Sequence, residues 1–307
     1  MGAVTGAFSG ETITVDAMVK DPTYIQERVL ENLDKTFLEE ALFRDGGANE
    51  GVVAYAEAVA PFLDSNAEDV AEFAEIPIGN VDLGKVRSLI GHKMAKAISV
   101  SEEMRRFNKI DQVNKGVTAL QNTMIHSSVR AALQTFESAN VPTLTVGTPW
   151  DGSGANPLAD LRAAKRMVSQ AKTEDGRLFG YSPDTLVIAE STLEAALDSE
   201  AAQKFFIGNL ANENPSYLGI TPQSLVNLRI VTSKWLEEDE IYLMEAGTAG
   251  FYSDSIPLTV SELYAPNGDN GYGGSTQSWR VDAFRTRIMA VDNPKAVVRI
   301  ENALGDL

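Results

Sequence analysis

One stretch, residues 108–138 (NKIDQVNKGVTALQNTMIHSSVRAALQTFES), constrains this chain more than any other. Its large apolar residues are Ile110, Val113, Val117, Leu120, Met124, Ile125, Val129, Leu133 and Phe136. Steps of three and four place them on one stripe of an α-helix. Asn108 is expected to cap that helix, with Asp111 serving another free amide and the positive end of the dipole. Asn140 and Pro142 close it. At the rise of an α-helix the element runs about 45 Å, longer than a small domain needs. It either spans a flat or elongated body or is the long core helix of an ordinary α/β enzyme, and the segment alone admits both.

What flanks the helix narrows the choice. The chain has 307 residues, 26 basic against 43 acidic, and a net charge of −17. Such a chain repels nucleic acid and anionic membrane at long range, which argues against a sequence-reading nucleic-acid binder. The absence of cysteine removes disulfides, thiolate zinc sites and cysteine nucleophiles together. No apolar run approaches the roughly 20 residues of a membrane span. The opening MGAVTGAFSGETITV lacks the basic and apolar regions of a signal peptide, so a soluble protein made in a cytoplasm is expected.

Taken in order, residues 1–20 are small and β-leaning and read as an extended arm without an amphipathic helix. Asp21 and Pro22 open a helix whose buried side is Ile25, Val29, Leu33, Phe37 and Leu42, with Leu30 and Leu38 beside them. From Gly47 to Gly84 there is no lysine, arginine or histidine, while Glu50, Glu57, Asp64, Glu68, Asp69, Glu72, Glu75 and Asp82 are all acidic. Two β-leaning runs, 52–62 and 70–81, flank the turn at residues 64–66 and predict a long acidic hairpin. A two-stranded hairpin is marginal alone in water, so it needs a surface in its own domain or on another subunit. Residues 85–100 are basic and strand-like, and Ser101 caps a short helix with Glu102 and Glu103 in its first turn and Arg105 and Arg106 at its end.

After the long helix, a Gly/Pro/Thr-rich segment leads to Asn156 and Pro157, which start a helix with Leu158, Leu161, Ala164, Met167, Val168 and Ala171 inward. Strands at 185–189, 228–231 and 241–244 and a helix at 191–199 complete an α/β domain. The remainder reads as strands at 258–264, 277–290 and 296–300. In the second of these Trp279, Val281 and Phe284 alternate with Arg280, Asp282 and Arg285. These strands are expected to pair with residues 85–100 and pack on the long helix.

Catalytic chemistry is hard to find. His92 and His126 have no partner at a motif spacing, and no nucleophile elbow, phosphate loop or paired-histidine zinc motif occurs. Asp151 to Gly154 and Asp269–Asn270 supply fewer oxygens than the six or more that Ca²⁺ takes. The glycines of 266–274 serve turns and do not lie between a strand and a helix.

The order is arm, helix, acidic hairpin, basic strand, capped short helix, long helix, inserted α/β domain and closing strands. It resembles the major capsid proteins of tailed phages, the Hong Kong 97-type fold, over essentially the whole chain. The likeness is carried by AISVSEEM at 97–104, DTLVI at 184–188, WRVDAFR at 279–285 and NPKAVV at 293–298. It implies an α+β protein divided into an N-arm and helix (1–44), an E-loop (45–84), a discontinuous P-domain (85–150 and 251–307, with the spine helix at 108–138) and an A-domain (151–250). It implies a non-enzymatic subunit, without cofactor or metal, that forms pentamers and hexamers of an icosahedral or prolate head around double-stranded DNA.

In that family E-loops lie over the neighbouring P-domain, and P-domain tips meet near three-fold axes. The acidic hairpin would then lie on a neighbour presenting Lys85, Arg87, Lys93, Lys96, Arg105, Arg106, Arg280, Arg285 and Arg287. The expected interface residues are Tyr55, Phe62 and Phe73 as apolar anchors, Glu57 and Glu72, and Lys85, Arg87, Lys96, Arg280 and Arg285. Asn267, Asp269 and Asn270 form the tip. With no lysine between Lys35 and Lys85, an E-loop isopeptide cross-link is not expected. The implied partners are further copies of the chain, a separate scaffolding protein, a portal, a decoration or cement protein, and DNA held without sequence-specific contact. The implied location is the virion, after assembly in the host bacterial cytoplasm. The alternatives are an encapsulin-like nanocompartment shell and a soluble α/β enzyme or binding domain; particle size and packaged contents discriminate them.

Overall fold

The computed structural model describes residues 14–33, 36–173, 176–207 and 224–305, with side chains undescribed over 204–207. The first elements are α1 (Val15–Lys20), α2 (Thr23–Leu33), α3 (Leu38–Leu42), β1 (Arg44–Ala48), β2 (Val52–Ala56), β3 (Val86–Ile90) and β4 (His92–Ser101). Next come α4 (Glu102–Arg106), α5 (Ile110–Ser138), β5 (Thr143–Thr145), α6 (Pro157–Ser169), β6 (Thr185–Ile188), α7 (Glu190–Asp198) and α8 (Glu200–Ile207). The chain ends with β7 (Ser224–Leu225), β8 (Leu228–Thr232), β9 (Ile241–Met244), β10 (Phe251–Val260), β11 (Ser278–Ala290) and β12 (Val297–Glu301). There are two compact units. One takes the residues up to Phe37 with Gly91–Ser128 and Asp254–Arg287; the other takes Leu38–Ile90, Val129–Ser253 and the residues from Ile288. The division falls within α5, β10 and β11.

In the first unit, the early part of α5 buries Val113, Val117, Leu120 and Met124 in one core with Val100, Val260, Trp279, Val281 and Ala283. The stripe expected of the long helix is therefore real, and each fully buried side chain of this size contributes roughly 1.5–3 kcal/mol. Ile25, Val29, Leu33 and Phe37 close the same core from α2 and the turn beyond it.

The N-terminal part corrects the extended-arm expectation. Residues 1–13 lie outside the described residues, but 14–20 contain α1, capped by Thr14 Oγ1 accepting from Ala17 N at 3.2 Å, with Val15 and Met18 buried. A helix of one and a half turns is too short for its periodicity to show. Asn108 is likewise not the cap of α5. Its backbone is left-handed (φ 47°), and its side-chain oxygen accepts from Val15 N at 2.9 Å, so it serves α1. Ser101 caps α4 as expected, accepting from Met104 N at 3.3 Å, and Asn140, left-handed at φ 57°, ends α5.

β11 pairs antiparallel with β4 from Ser278↔Ser101 to Arg287↔His92 without interruption. Side chains in an unbroken ladder alternate faces strictly. Trp279, Val281, Ala283, Arg285 and Arg287 therefore share the inward face, and Phe284 turns outward. The expected pairing of Phe284 with the apolar side slipped phase by one residue. Arg285 is only 1% exposed, its guanidinium 4.2 Å from the Phe37 ring centre and 2.6 Å from Ser128 Oγ. Arg287 is held by both oxygens of Asp254 at 2.7 and 2.8 Å.

In the second unit a six-stranded sheet has the order β5-β12-β9-β6-β8-β7. Leu186, Ile188, Ile241, Leu243, Val298 and Ile300 form its core with Leu158, Leu161, Ala164 and Val168 of α6 and Leu193 and Ala196 of α7. Asn156 caps α6, as expected, and Pro157 fills its first turn. Met167 is 40% exposed, not inward. β12 was expected beside residues 85–100. Instead it lies between β5, to which it is parallel, and β9, to which it is antiparallel. Phe136, from the late part of α5, stacks between Phe43 and Tyr242 at 5.2 and 5.0 Å.

The hairpin also differs from expectation. Val52–Ala56 pairs with Val86–Ile90, not with residues 70–81. Beyond it the only bridge among the described residues of 57–85 is Leu63↔Val81. Pro61 and Pro77 each lack a ladder donor, and Phe73 adopts φ 69°, which breaks a strand.

Candidate interaction surface

The hairpin is built on cross-strand pairs. Tyr55 lies opposite Arg87, and Glu57 N donates to Lys85 O at 2.9 Å. Arg87 pairs with Glu57 at 2.5 Å. Tyr55 meets Phe251 edge-on at 5.6 Å, and burial raises its phenol pKa. Farther out, Phe62 is half-exposed under the Arg177 guanidinium, which also donates to Leu63 O. Phe73 is 99% exposed and Ile78 89%, and Ile76 and Leu83 are also exposed. Glu72 and the other acids of 64–75 are exposed as well. Large apolar side chains left in solvent among charges mark an interaction site more often than a bare surface.

The second surface belongs to the first unit. There β4 pairs with β11 and lies at the edge of its sheet. On the outward face of β4 and β11 lies a groove of about 560 Å³, floored by Ala95, Ala97 and Ser99 and walled by Phe284. Lys93 sits 4.4 Å over the Phe284 ring. Arg280 pairs with Asp282 at 2.5 Å, and Tyr264 donates to the same carboxylate at 2.6 Å. Burial works to raise the Asp282 pKa, but the hydrogen bonds from Tyr264 and Arg280 outweigh it and the net shift is downward. Lysines on an edge strand deter indiscriminate strand pairing while leaving the backbone edge open to a specific partner.

The third surface is the loop at 265–276. Asp269 Oδ1 accepts from Gly271 N at 2.8 Å and Gly273 N at 3.1 Å, and its Oδ2 accepts from Trp279 Nε1 at 3.1 Å. Asn270 Oδ1 accepts from Tyr272 N and Gly274 N, and Asn267 donates to Ser275. All three tip residues are exposed, yet their polar atoms mainly hold their own loop.

The nine expected cations therefore separate. Lys85, Lys93, Lys96 and Arg106 are exposed. Arg87, Arg105 and Arg280 pair with Glu57, Asp16 and Asp282 of their own chain, and Arg285 and Arg287 lie in the core. Arg285 is thus not on a surface, as counting parity from Trp279 would have shown. Ile76, Ile78 and Leu83, exposed like Phe73, were not singled out; their signal was apolar side chains in a segment with no strand alternation. Among the described residues no group of three or more His, Asp or Glu could hold a metal, and no helix is long and apolar enough to cross a membrane.

Solved structures share this mixed α and β architecture with its long helix and edge strand. The virus-like particle from Pyrococcus furiosus is similar with a TM-score of 0.59 and 12% identity, over 90% of this chain and 98% of that one. Mycobacterium phage Che8 follows with a TM-score of 0.55, 16% identity and coverage of 84% and 86%. The asymmetric unit of the bacteriophage PhiM1 mature capsid gives 0.52, 11%, and 88% of both chains. The fold is the Hong Kong 97-type phage capsid fold. The sequence model of a family described as phage capsid protein matches residues 90–300, and the chain belongs to that family. A search of curated proteins finds no match.

Proposed function

We propose that this capsid shell protein assembles into pentamers and hexamers of a phage head enclosing double-stranded DNA, with no catalytic role. The observation carrying the reading is the exposed acidic and apolar hairpin, whose Phe73, Ile76 and Ile78 have no cover in their own unit. In this reading residues 45–84 form the E-loop and lie over a neighbouring copy, 85–150 with 251–307 form the P-domain, 151–250 the A-domain and 1–44 the N-arm. The neighbour's groove offers Lys93 to the acids of the hairpin and small side chains to its apolar anchors, while Lys96 is exposed from the other face of β4. Arg280 is at its rim, and Asn267, Asp269 and Asn270 lie at the P-domain tip.

A scaffolding protein, a portal and a decoration protein are the partners this reading adds, with assembly in the bacterial cytoplasm before the virion matures. Subunits are held without covalent links, so mature particles run as monomers on a denaturing gel; a ladder of multimers contradicts this. The decisive experiment is electron microscopy of particles formed by the chain expressed with its neighbouring genes. Shells with five- and six-fold capsomers containing DNA are expected, and a small oligomer overturns the proposal. A second reading, a compartment shell with packaged protein and no genome, draws on the likeness to the virus-like particle. The nucleic-acid content of the same particles separates the two.

A further inference from the structure

Within the first unit, one side chain joins three segments that are distant in sequence. Arg105, near the end of α4, donates through Nε to Asp16 Oδ1 on α1 at 2.7 Å and through Nη1 to Gly271 O in the 265–276 loop at 3.1 Å. Its own helix supplies only Glu102, at 3.5 Å. The guanidinium also lies 5.4 Å over the Trp279 ring, and Trp279 Nε1 in turn donates to Asp269. A cleft of about 540 Å³ beside it is lined by Asp16, Glu102, Arg106, Asn270 and Tyr272.

The base of the loop is held by Gly268 N donating to Ala265 O at 3.2 Å and Ser278 N donating to Gly273 O at 3.1 Å, while its outer part has fewer backbone bonds. Gly268, Gly271, Gly273 and Gly274 all take left-handed φ, which carries a high entropic cost of ordering, and Tyr272 is exposed. Residues 269–274 are held further by the Asp269 and Asn270 side chains and, at Gly271 O, by the Arg105 fork. The diverging donors of a guanidinium reach a carboxylate and a carbonyl at once, which a single ammonium does not reproduce. Asp16 fixes the direction of the fork. Nη1 lies between Gly271 O at 3.1 Å and the Glu102 carboxylate at 3.5 Å, so losing the Asp16 anchor at Nε leaves the guanidinium free to turn out of this geometry.

We propose that Arg105 is a positioning residue that couples docking of the N-terminal helix to order in the 265–276 loop. The loop keeps its ordered form while α1 is seated, and loosens when α1 leaves. On the capsid reading above, the N-terminal segment thereby controls a surface offered to neighbouring copies, but the coupling itself is a property of the single chain.

The test is amide hydrogen exchange on the full chain as unassembled subunits, comparing the parent with Asp16→Asn, Arg105→Lys and Arg105→Ala. Each variant is expected to speed exchange at Gly271, Gly273 and Gly274 roughly tenfold, with β12 amides unchanged. Asp16→Asn is the cleanest variant, because Asp16 is partly exposed on α1 and its ion pairs are to Lys20 and Arg105. Faster exchange confined to α1 in Asp16→Asn overturns the coupling, and parent-like protection in Arg105→Lys overturns the role of the two-donor fork. Neither outcome depends on whether shells form.

Discussion

Residues 61–83 turn Phe73, Ile76, Ile78 and Leu83 to solvent, whereas β11 turns Arg285 and Arg287 inward. In the first region apolar side chains have no cover within their own unit. In the second, cations find theirs in Phe37, Ser128 and Asp254. The contrast shows that residue type alone does not assign a role. Arg285 was grouped with surface cations because it is charged, yet the parity of a strand puts it in the core. Ile76 and Ile78 were passed over because they are ordinary aliphatics, yet both stand in solvent.

The largest effect expected on that contrast is from Arg287→Ala. It strips the Asp254 carboxylate of its bidentate partner and should cost about 3 kcal/mol of stability in urea unfolding. A cost near zero would mean that the inward cations behave as surface charges after all. Alkaline unfolding probes the buried side further. Burial pushes the phenols of Tyr181 and Tyr242 up to about 12. The fold holds both as neutral phenols, so their contribution is complete below pH 10 and is lost as pH rises toward 12. Ultraviolet titration should place their ionisation with unfolding, while Tyr55, partly exposed in the hairpin, ionises earlier.

Phe73→Ser combined with Ile78→Ser should leave unfolding within about 0.5 kcal/mol of the parent yet cut particle yield by roughly tenfold, since apolar anchors dominate interfaces. Equal loss of stability and assembly would return the hairpin to its own core. Ser101→Ala should cost about 1 kcal/mol by removing the α4 cap, with assembly reduced only in proportion.

Elements carried by local rules were legible in the sequence. The α5 stripe, the Ser101 and Asn156 caps, the Asn140 stop and the four-residue strand β6 all follow from periodicity and end chemistry. What was misread was non-local. Asn108 has the composition of a helix cap, and only the chain fold presents Val15 N to it at 2.9 Å. β12 has the composition of any buried strand, and its sequence does not state which neighbours will accept it. Of the expected interface residues, the acidic run was visible, but whether each arginine was exposed, paired within the chain or buried was not.

The sequence by itself determined a long amphipathic helix, an acidic run without lysine or arginine from Gly47 to Gly84 and the order of elements that resembles a capsid subunit. These depend on spacing and composition within a few turns or strands. Tertiary structure alone decided the phase of Arg285, the partners of β12, the place of the N-terminal helix and the fork at Arg105. Each depends on contacts between residues tens to hundreds of positions apart, where geometry selects among partners that local chemistry leaves equivalent.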